Sequence, residues 1–466
     1  MSLKIEISDT TARARRKRWS HGVRARLRWT LAAILAVGAC AAGAFFVAGA
    51  PSVLPWLENL PRAAALVIFA LTYLVIAIGK LPGFHLDRAG AALLGASLMV
   101  AFGVLSLEDA FRAIDFETIT LLLGMMIVVA NLRLSGFFRL VGSWAVTRAR
   151  HPLILLVAVV AVAGSLSAFL VNDTICLVMT PIVLDIVMRL KRDPVPYLLA
   201  VAMASNIGSA ATITGNPQNM IVGGLSHIRY GAFAAALWPV AAAGLVLVVL
   251  FIAIVYRREF LTRERLLTVA PRPARPHTPL VIESVFVTVA MVVFFFAGQP
   301  VAKVAIIGGA LLLFTRRVKA DKVYREIDWP LLVMFAGLFI VVDGAEKTVL
   351  TPDIITAVGR LHLDNIPLLS AVTAGLSNLV SNVPAVLVLK PFITGLHDPQ
   401  RAWLAVAMAS TLAGNLTLVG SVANLIVVQR ARAHGVNVDF WAYFKVGAPL
   451  TLLTITIGVL WLQSGG

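Results

Sequence analysis

Long apolar stretches separated by short polar segments occupy the chain from about residue 62 onward. The uninterrupted stretches lie at 62–79, 89–105, 118–132, 232–256, 279–297, 300–315, 329–342 and 441–462. Four others are broken by polar residues or glycine, at 153–188, 196–225, 366–396 and 402–428. A helix needs about 20 apolar residues to cross a hydrocarbon core of about 30 Å. The pattern therefore predicts an all-α polytopic membrane protein with about 11 transmembrane helices.

Composition excludes the soluble alternative. Of the 466 residues, 59% are hydrophobic and only 14% are charged, which rules out a set of soluble domains. The net charge of +17 sits in the segments between apolar stretches, so we expect a lipid bilayer rather than nucleic acid as its partner. Cys40 and Cys176 lie inside apolar stretches without metal-ligand spacing and are interpreted as core residues. No hydrolase motif is present, so we predict no enzyme and no cofactor other than sodium ions.

Basic residues predict which side of the membrane each segment faces, because Lys and Arg are enriched in cytoplasmic loops. The predicted cytoplasmic clusters are Lys80 and Arg88; Arg133, Arg139, Arg148 and Arg150; Arg189, Lys191 and Arg192; 257–275; 316–325; and Arg430 and Arg432. This threading requires 153–188 and 366–396 each to start and finish on one side, from opposite faces. Residues 174–188 span only about 22 Å as a helix, so we predict two re-entrant hairpins rather than pairs of full spans.

The same threading divides the chain into four segments. Residues 1–29 are a predicted basic cytoplasmic tail, and 30–256 hold an N-terminal transmembrane helix and a first repeat. Residues 257–278 are a predicted cytoplasmic linker, and 279–466 a second, inverted repeat. The uncharged stretch 31–50 is longer than the apolar part of a typical secretion signal, which favours an uncleaved helix over a cleaved leader.

An internal repeat underlies the division at the linker. Three blocks recur in the same order: 113–129 with 326–342, 167–181 with 377–391, and 200–205 with 405–410, at offsets of 213, 210 and 205 residues. Three ordered matches with slowly falling offsets indicate a duplication. Because the two predicted hairpins open from opposite faces, the copies are predicted to be inverted. Inverted repeats with discontinuous helices are typical of secondary transporters with a midplane binding site.

Each hairpin turns at polar residues. Asn172, Asp173 and Thr174 begin the second arm of the first hairpin, and Ser381 and Asn382 begin that of the second. We expect these side chains to cap the helices that follow them. A helix start within hydrocarbon also presents about half a positive charge, so the tips are predicted to attract an anion.

The spans after the hairpins are predicted to break at mid-membrane. Pro217 removes a backbone donor and disfavours helix at Asn216, so unwinding is expected near 215–217. The second copy keeps Gly420 and Ser421, and the repeat carries Asn219 onto Asn424. Unwound carbonyls beside Asn and Ser oxygens suit a small cation. Packing of small residues explains the glycines and serines, but not the break.

Asp173 is the carboxylate predicted to lie at the midplane. Acidic residues within membranes are rare and point to the handling of ions or protons. The alternative is a structural acid that is capped or protonated.

Three motifs, "LVNDTICLVMTPIV", "GNPQNMIVG" and "SNVPAVLVL", resemble the ion transporter superfamily, which includes divalent anion/sodium symporters, citrate transporters, arsenite permeases and some sodium/proton antiporters. The resemblance implies a scaffold domain that can form a homodimer and a transport domain that moves as an elevator. It implies one cation site from Ser167, Asn172 and Gly215, another from Ser377, Ser381, Asn382 and Gly420, and substrate contacts from Asn216 and Ser421. Symporter tips read Ser-Asn-Thr, whereas these read Val-Asn-Asp and Ser-Asn-Val, which is more like the arsenite permeases.

These observations predict a secondary active transporter of a small inorganic or organic anion, coupled to sodium or protons, in a bacterial inner membrane with its N-terminus in the cytoplasm. The predicted substrate contacts are Asn172, Asp173, Thr174, Asn216, Ser381, Asn382 and Ser421. The predicted cation contacts are Ser167, Asn172, Gly215, Asn219, Ser377, Ser381, Asn382, Gly420 and Asn424. The alternatives are a sodium/proton antiporter that uses Asp173 and an arsenite-type efflux permease.

Overall fold

The computed structural model describes residues 60–79, 86–148, 150–262, 266, 277–315, 317–349 and 362–465. The predicted basic tail, the predicted first helix with Cys40 and most of the predicted linker lie outside these residues. The described part consists of helices without a β-strand. In the first repeat the helices are α1 (Leu60–Ile78), α2 (Arg88–Ala101), α3 (Leu107–Ala113), α4 (Phe116–Ser135), α5 (Phe137–Arg148), α6 (Pro152–Phe169), α7 (Asn172–Arg189), α8 (Pro194–Ser209), α9 (Pro217–Ser226) and α10 (Tyr230–Val255).

After the short α11 (Arg257–Phe260), the second repeat contains α12 (Thr278–Phe296), α13 (Val301–Phe314), α14 (Ala320–Tyr324), α15 (Trp329–Val349), α16 (Ile366–Val380), α17 (Asn382–Ile393), α18 (Pro399–Ala413), α19 (Val422–Ala433) and α20 (Phe440–Gln463). Within the described ranges, seven helices are long and apolar enough to cross a membrane. The hairpins α6–α7 and α16–α17 and the broken pairs α8–α9 and α18–α19 confirm the predicted fold class. Cys176 is buried and free, as predicted.

Proline and a capping residue start the helices that position the site. Pro194, Pro217 and Pro399 each open a helix, where the missing N–H costs no hydrogen bond. The residue before each proline caps the new helix, as Asn216 does by accepting from the Asn219 amide at 2.8 Å. The break at 215–217 is therefore written into the local sequence.

The two repeats pack crosswise and obey a pseudo-two-fold exchange. α2 and α13 have the same length and begin 213 residues apart, as do α4 and α15. α2 packs along α15 of the other repeat, and α13 packs along α4. A Cβ on Gly124 would lie 2.5 Å from the backbone of Ala305, and one on Gly337 would lie 2.6 Å from that of Ala92. These two close crossings are also related by 213 residues, so the sequence repeat is a repeat of packing as well.

Contacts between chain segments show that the copies are inverted. At one end, Arg133 pairs with Glu326, and the His277 amide donates to the Ser135 carbonyl at 3.1 Å. These contacts place the end of α4 beside the starts of α12 and α15. At the other end, Arg62 donates to the Thr348 carbonyl at 3.0 Å, which places the start of α1 beside the end of α15. Because α1 and α12 begin at opposite ends, the second copy runs in the opposite sense.

The ion pairs also group the loops as the charge pattern predicts. The end that carries the Arg133–Glu326 pair, called here the basic end, also holds Arg192 with Glu259 at 2.8 Å and Arg317 with Glu283 at 3.5 Å. The opposite end joins Lys347 to Asp109 at 3.7 Å and Lys390 to Glu346 at 3.1 Å. Every pair links segments that were predicted to share a side.

The arms of the first hairpin are longer than predicted. α6 and α7 each contain 18 residues, because α7 begins at Asn172 and continues to Arg189. The arms of the second hairpin contain 15 and 12 residues. Arm length was therefore a weak argument for the first hairpin, and its re-entrant character follows instead from where its tip lies.

Candidate functional site

Four helix N-termini meet at one cavity of about 50 Å³. They are the starts of α7 and α17, which are the hairpin tips, and of α9 and α19, which follow the two breaks. The cavity is lined by Asn172, Asp173, Pro217, Gln218, Ser381, Asn382, Val383, Pro384, Ser421 and Val422, with Ile76, Arg88, Leu331, Met334 and Phe335 from α1, α2 and α15. Each helix start contributes about half a positive charge, so the field at this point favours an anion.

The predicted capping of the tips is wrong. Neither α7 nor α17 receives a side-chain cap, and their cap positions are Val171 and Ser381. In the described structure the backbone N–H groups of residues 172, 173, 382 and 383 have no acceptor. The polar side chains of the tips bond to neighbouring helices instead. The tips therefore leave amide donors beside the cavity rather than closing them off.

Ser381 is held in a strained backbone conformation, with φ 83° and ψ 160°. A non-glycine residue in such a region costs about 1–3 kcal/mol. The tip of the second hairpin is thus shaped by its surroundings, in a way that the sequence does not favour.

We expect Ser381→Gly to stabilise the protein by about 1 kcal/mol, because glycine adopts this conformation without strain. Ser381→Ala keeps the strain and is the matched control. Thermal unfolding in detergent measures the difference. An equal or lower melting temperature for the glycine variant would contradict the assignment of strain.

Serine and asparagine side chains tie each hairpin tip to the helix behind it. In the first repeat, the Ser167 hydroxyl lies 2.7 Å from that of Ser205, which donates to the Asn172 carbonyl at 3.0 Å. In the second, Ser377 bonds to Asn382 Oδ1 at 2.6 Å and to the Ser410 carbonyl at 3.0 Å. The predicted cation positions Ser167 and Ser377 thus lie behind the tips and bond within the protein.

Asn219 and Asn424 fasten the two breaks in the same way. Asn219 Nδ2 donates to the carbonyls of Ser209 and Thr212, at 3.1 and 2.9 Å. Asn424 Nδ2 donates to those of Gly414 and Thr417, at 2.8 and 3.2 Å. All four carbonyl positions are related by the offset of 205. At both predicted cation positions, an asparagine amide satisfies the carbonyls that the breaks expose.

Two residues that the sequence did not single out connect the repeats across the site. Asn206 Nδ2 donates to Asn424 Oδ1 at 3.0 Å, and Asn206 Oδ1 accepts from Ser421 at 3.1 Å. The Thr411 hydroxyl donates to Asn219 Oδ1 at 3.3 Å and accepts from Asn216 at 3.2 Å. Asn216 and Ser421 are equivalent by the repeat, as are Asn219 and Asn424. Each repeat therefore braces the break of the other.

Two charged side chains line the cavity without a partner. Asp173 and Arg88 make no hydrogen bond or ion pair with any other residue that the structure describes. Asn172 Oδ1, beside Asp173, is buried and also lacks a donor. Arg88 was interpreted only as a marker of the cytoplasmic face, because charge patterning does not show where a long side chain reaches. The expectation of an anion site without arginine has to be corrected.

The structure brings five of the predicted substrate residues to the cavity: Asn172, Asp173, Ser381, Asn382 and Ser421. Asn216 stands immediately behind it as the cap of α9, and Thr174 is further along α7. The glycines of the breaks are packed closely, since a Cβ on Gly215 would lie 2.1 Å from the Ser209 carbonyl oxygen. A Cβ on Gly420 would lie 2.9 Å from Asn378 Oδ1, which is itself buried without a donor.

A family model described as citrate transporter matches residues 72–413, which include both tips and the first break. The chain belongs to the citrate transporter family. The predicted resemblance to the ion transporter superfamily is thereby confirmed, and the chain is an integral membrane transport protein.

Relatives in the family are named as transporters. An uncharacterized transporter of Mycobacterium tuberculosis is 30% identical, over 85% of this chain and 97% of its own. The silicon efflux transporter LSI3 of Oryza sativa is 29% identical, over 86% and 98%. The putative transporter arsB of Dictyostelium discoideum is 24% identical, over 84% and 91%. Relatives therefore differ in the substrate or role that their names carry.

A solved structure with the same fold is the Alcanivorax borkumensis YdaH transporter, whose title reports an unusual topology. It aligns with a TM-score of 0.57 over 87% of this chain and 98% of its own, at 16% sequence identity. At this identity the likeness concerns the fold alone.

Proposed function

We propose that the protein is a proton-coupled transporter of a small inorganic oxyacid, such as arsenite or silicic acid. The observation that carries the proposal is the cavity of about 50 Å³ at which four helix N-termini, an unpaired carboxylate and an unpaired guanidinium meet. A midplane site between discontinuous helices of inverted repeats serves alternating access.

The volume of the cavity favours a small substrate over citrate. One water needs about 10–15 Å³ of such volume, so this cavity has room for roughly four waters. An oxyacid with one central atom and three or four oxygens is of that size. A tricarboxylate is much larger.

The chemistry of the lining suits a hydroxylated acid. The N–H groups of residues 382 and 383 and the Arg88 guanidinium donate to oxygens of the substrate. Asp173 and Asn172 Oδ1 accept from its hydroxyls. Donors and acceptors on one small cavity match a molecule that carries both, and a purely anionic ligand would leave the acceptors unused.

Coupling to protons is favoured over coupling to sodium. Most oxygens at the predicted cation positions accept hydrogen bonds from the protein, as Asn424 Oδ1 does from Asn206. Asp173 has no such partner and lines the cavity, so its carboxylate is placed to take up and release a proton as the substrate exchanges. An acidic residue at this depth fits a proton relay.

Movement of the transport helices as one body completes the proposal. The Asn206 and Thr411 bonds join the tips and breaks of both repeats. Between this unit and α12 lies a groove of about 300 Å³, lined almost wholly by apolar side chains from α4, α6 and α12. Such a surface offers few polar contacts to oppose sliding. Homodimerisation through the scaffold and residence in a bacterial plasma membrane remain parts of this proposal.

Flux into proteoliposomes tests it. We expect accumulation of arsenite or silicic acid under an imposed pH gradient, without a sodium gradient and without citrate uptake. Sodium-for-proton exchange in buffer free of oxyacid would favour the antiporter instead. Citrate uptake, or oxyacid uptake that requires sodium, would contradict the proposal.

A further inference from the structure

The cavity at the tips has a counterpart at the other end of the molecule. A second cavity of about 220 Å³ is lined by Thr118 and Leu121 of α4, Val301 of α13 and residues of α9, α10 and α12. The first cavity lies at the basic end, since Leu331 is in the first turn of α15 next to the Arg133–Glu326 pair. The second lies at the start of α4, which is about 30 Å away along that helix.

The pseudo-two-fold exchange relates the static walls of these cavities residue by residue. Adding the offset of 213 carries Arg88 onto Val301, and Thr118 and Leu121 onto Leu331 and Met334. All three members of each set line their own cavity. α2 and α13 begin at the paired positions themselves, and each packs along the repeat opposite to its own. The second cavity is therefore the place where the tips would dock in the opposite orientation.

One of the three equivalent pairs breaks the symmetry of charge. At the basic end the wall carries a guanidinium, and at the other end the same position carries an isopropyl group. The charged residues that line the second cavity, Glu117, His227 and Arg229, are exposed and do not occupy an equivalent position. Tip residues travel with the substrate, whereas Arg88 belongs to α2 and stays with the wall.

We propose that Arg88 is a substrate-binding residue of one orientation only, and that it makes oxyanion affinity higher at the basic end than at the opposite end. This inference rests on the proposed function. A charge-assisted hydrogen bond from a half-buried arginine changes affinity by about 10-fold to 100-fold. A carrier that binds tightly at one end and weakly at the other loads at the first and releases at the second.

Three variants test the asymmetry: Arg88→Gln, Val301→Arg and the double variant. Val301 faces the larger cavity, which has room for the longer side chain. Arg62→Gln is the matched control, since it removes an exposed positive charge outside both cavities. Full-length protein in vesicles of defined orientation gives the half-saturating concentrations of arsenite and silicic acid at each end.

We expect Arg88→Gln to raise the half-saturating concentration about 10-fold to 100-fold at the basic end only. Val301→Arg should lower it at the opposite end, and the double variant should reverse the ratio of the two ends. Equal values at both ends of the wild-type protein, or an equal change at both ends in Arg88→Gln, would overturn this inference alone. Absence of wild-type flux of both oxyacids would overturn the proposed function and this inference with it.

Discussion

Asp173→Asn is expected to reduce pH-driven accumulation of substrate to the level of protein-free liposomes. Asparagine has nearly the same shape as a protonated aspartate but neither takes up nor releases a proton. The binding cavity keeps its volume and its amide donors, so exchange of substrate between the two sides should continue without net accumulation. Measurement of gradient-driven uptake and of counterflow on the same preparation separates these two activities.

Asp185→Asn is the control for this variant. Asp185 lies on the same helix, about 18 Å further along it, and pairs with Arg189 at 3.6 Å. Its loss should leave coupled uptake within about two-fold, because exposed ion pairs contribute little. If Asp173→Asn accumulated substrate like the wild-type protein, the carboxylate would have no part in coupling. If counterflow were lost as well, Asp173 would be needed for binding and not only for coupling.

Gly215→Ala is expected to abolish transport and to destabilise the protein by about 1–3 kcal/mol. The new methyl group would lie 2.1 Å from the Ser209 carbonyl oxygen and 2.7 Å from the Ser209 Cα, and backbone atoms cannot move aside as a flexible side chain does. That carbonyl accepts from Asn216 at 3.2 Å and from Asn219 at 3.1 Å. Moving it would displace the start of α9, which lines the cavity. Uptake assays and thermal unfolding check both effects.

Two other glycines supply a graded series. At Gly420 the nearest atom to an added Cβ is a side-chain oxygen of Asn378 at 2.9 Å, so Gly420→Ala should retain partial activity. Gly375 lies in α16 with open space around it, and alanine there should leave transport unchanged and stabilise the helix by about 0.5–1 kcal/mol. Wild-type activity in Gly215→Ala would show that the break tolerates movement and that its geometry does not position the site.

Several features of the fold could be predicted from the sequence because their causes are local. Apolar length predicts the spans, and Pro217 after Asn216 predicts the break, since a missing N–H and a capping side chain act within one turn. The duplication was readable from blocks at offsets of 213, 210 and 205, and the alternation of basic and acidic segments predicted the inversion. The residues of both tips and Ser421 were therefore identified as cavity residues from the sequence.

Tertiary structure decided the rest, because it depends on what surrounds each side chain. The capping rule predicted capped tips, but Asn172 and Asn382 bond to other helices and leave the tip amides free. Asn206 and Thr411 are ordinary small polar residues in apolar helices, and their partners lie about 200 residues away in the chain. Arg88 belongs to the site because α2 packs on the opposite repeat, a fact that no local pattern contains. The sequence alone thus determined the helices, the breaks and the symmetry, whereas the charges and free donors that the cavity offers were decided by packing between repeats.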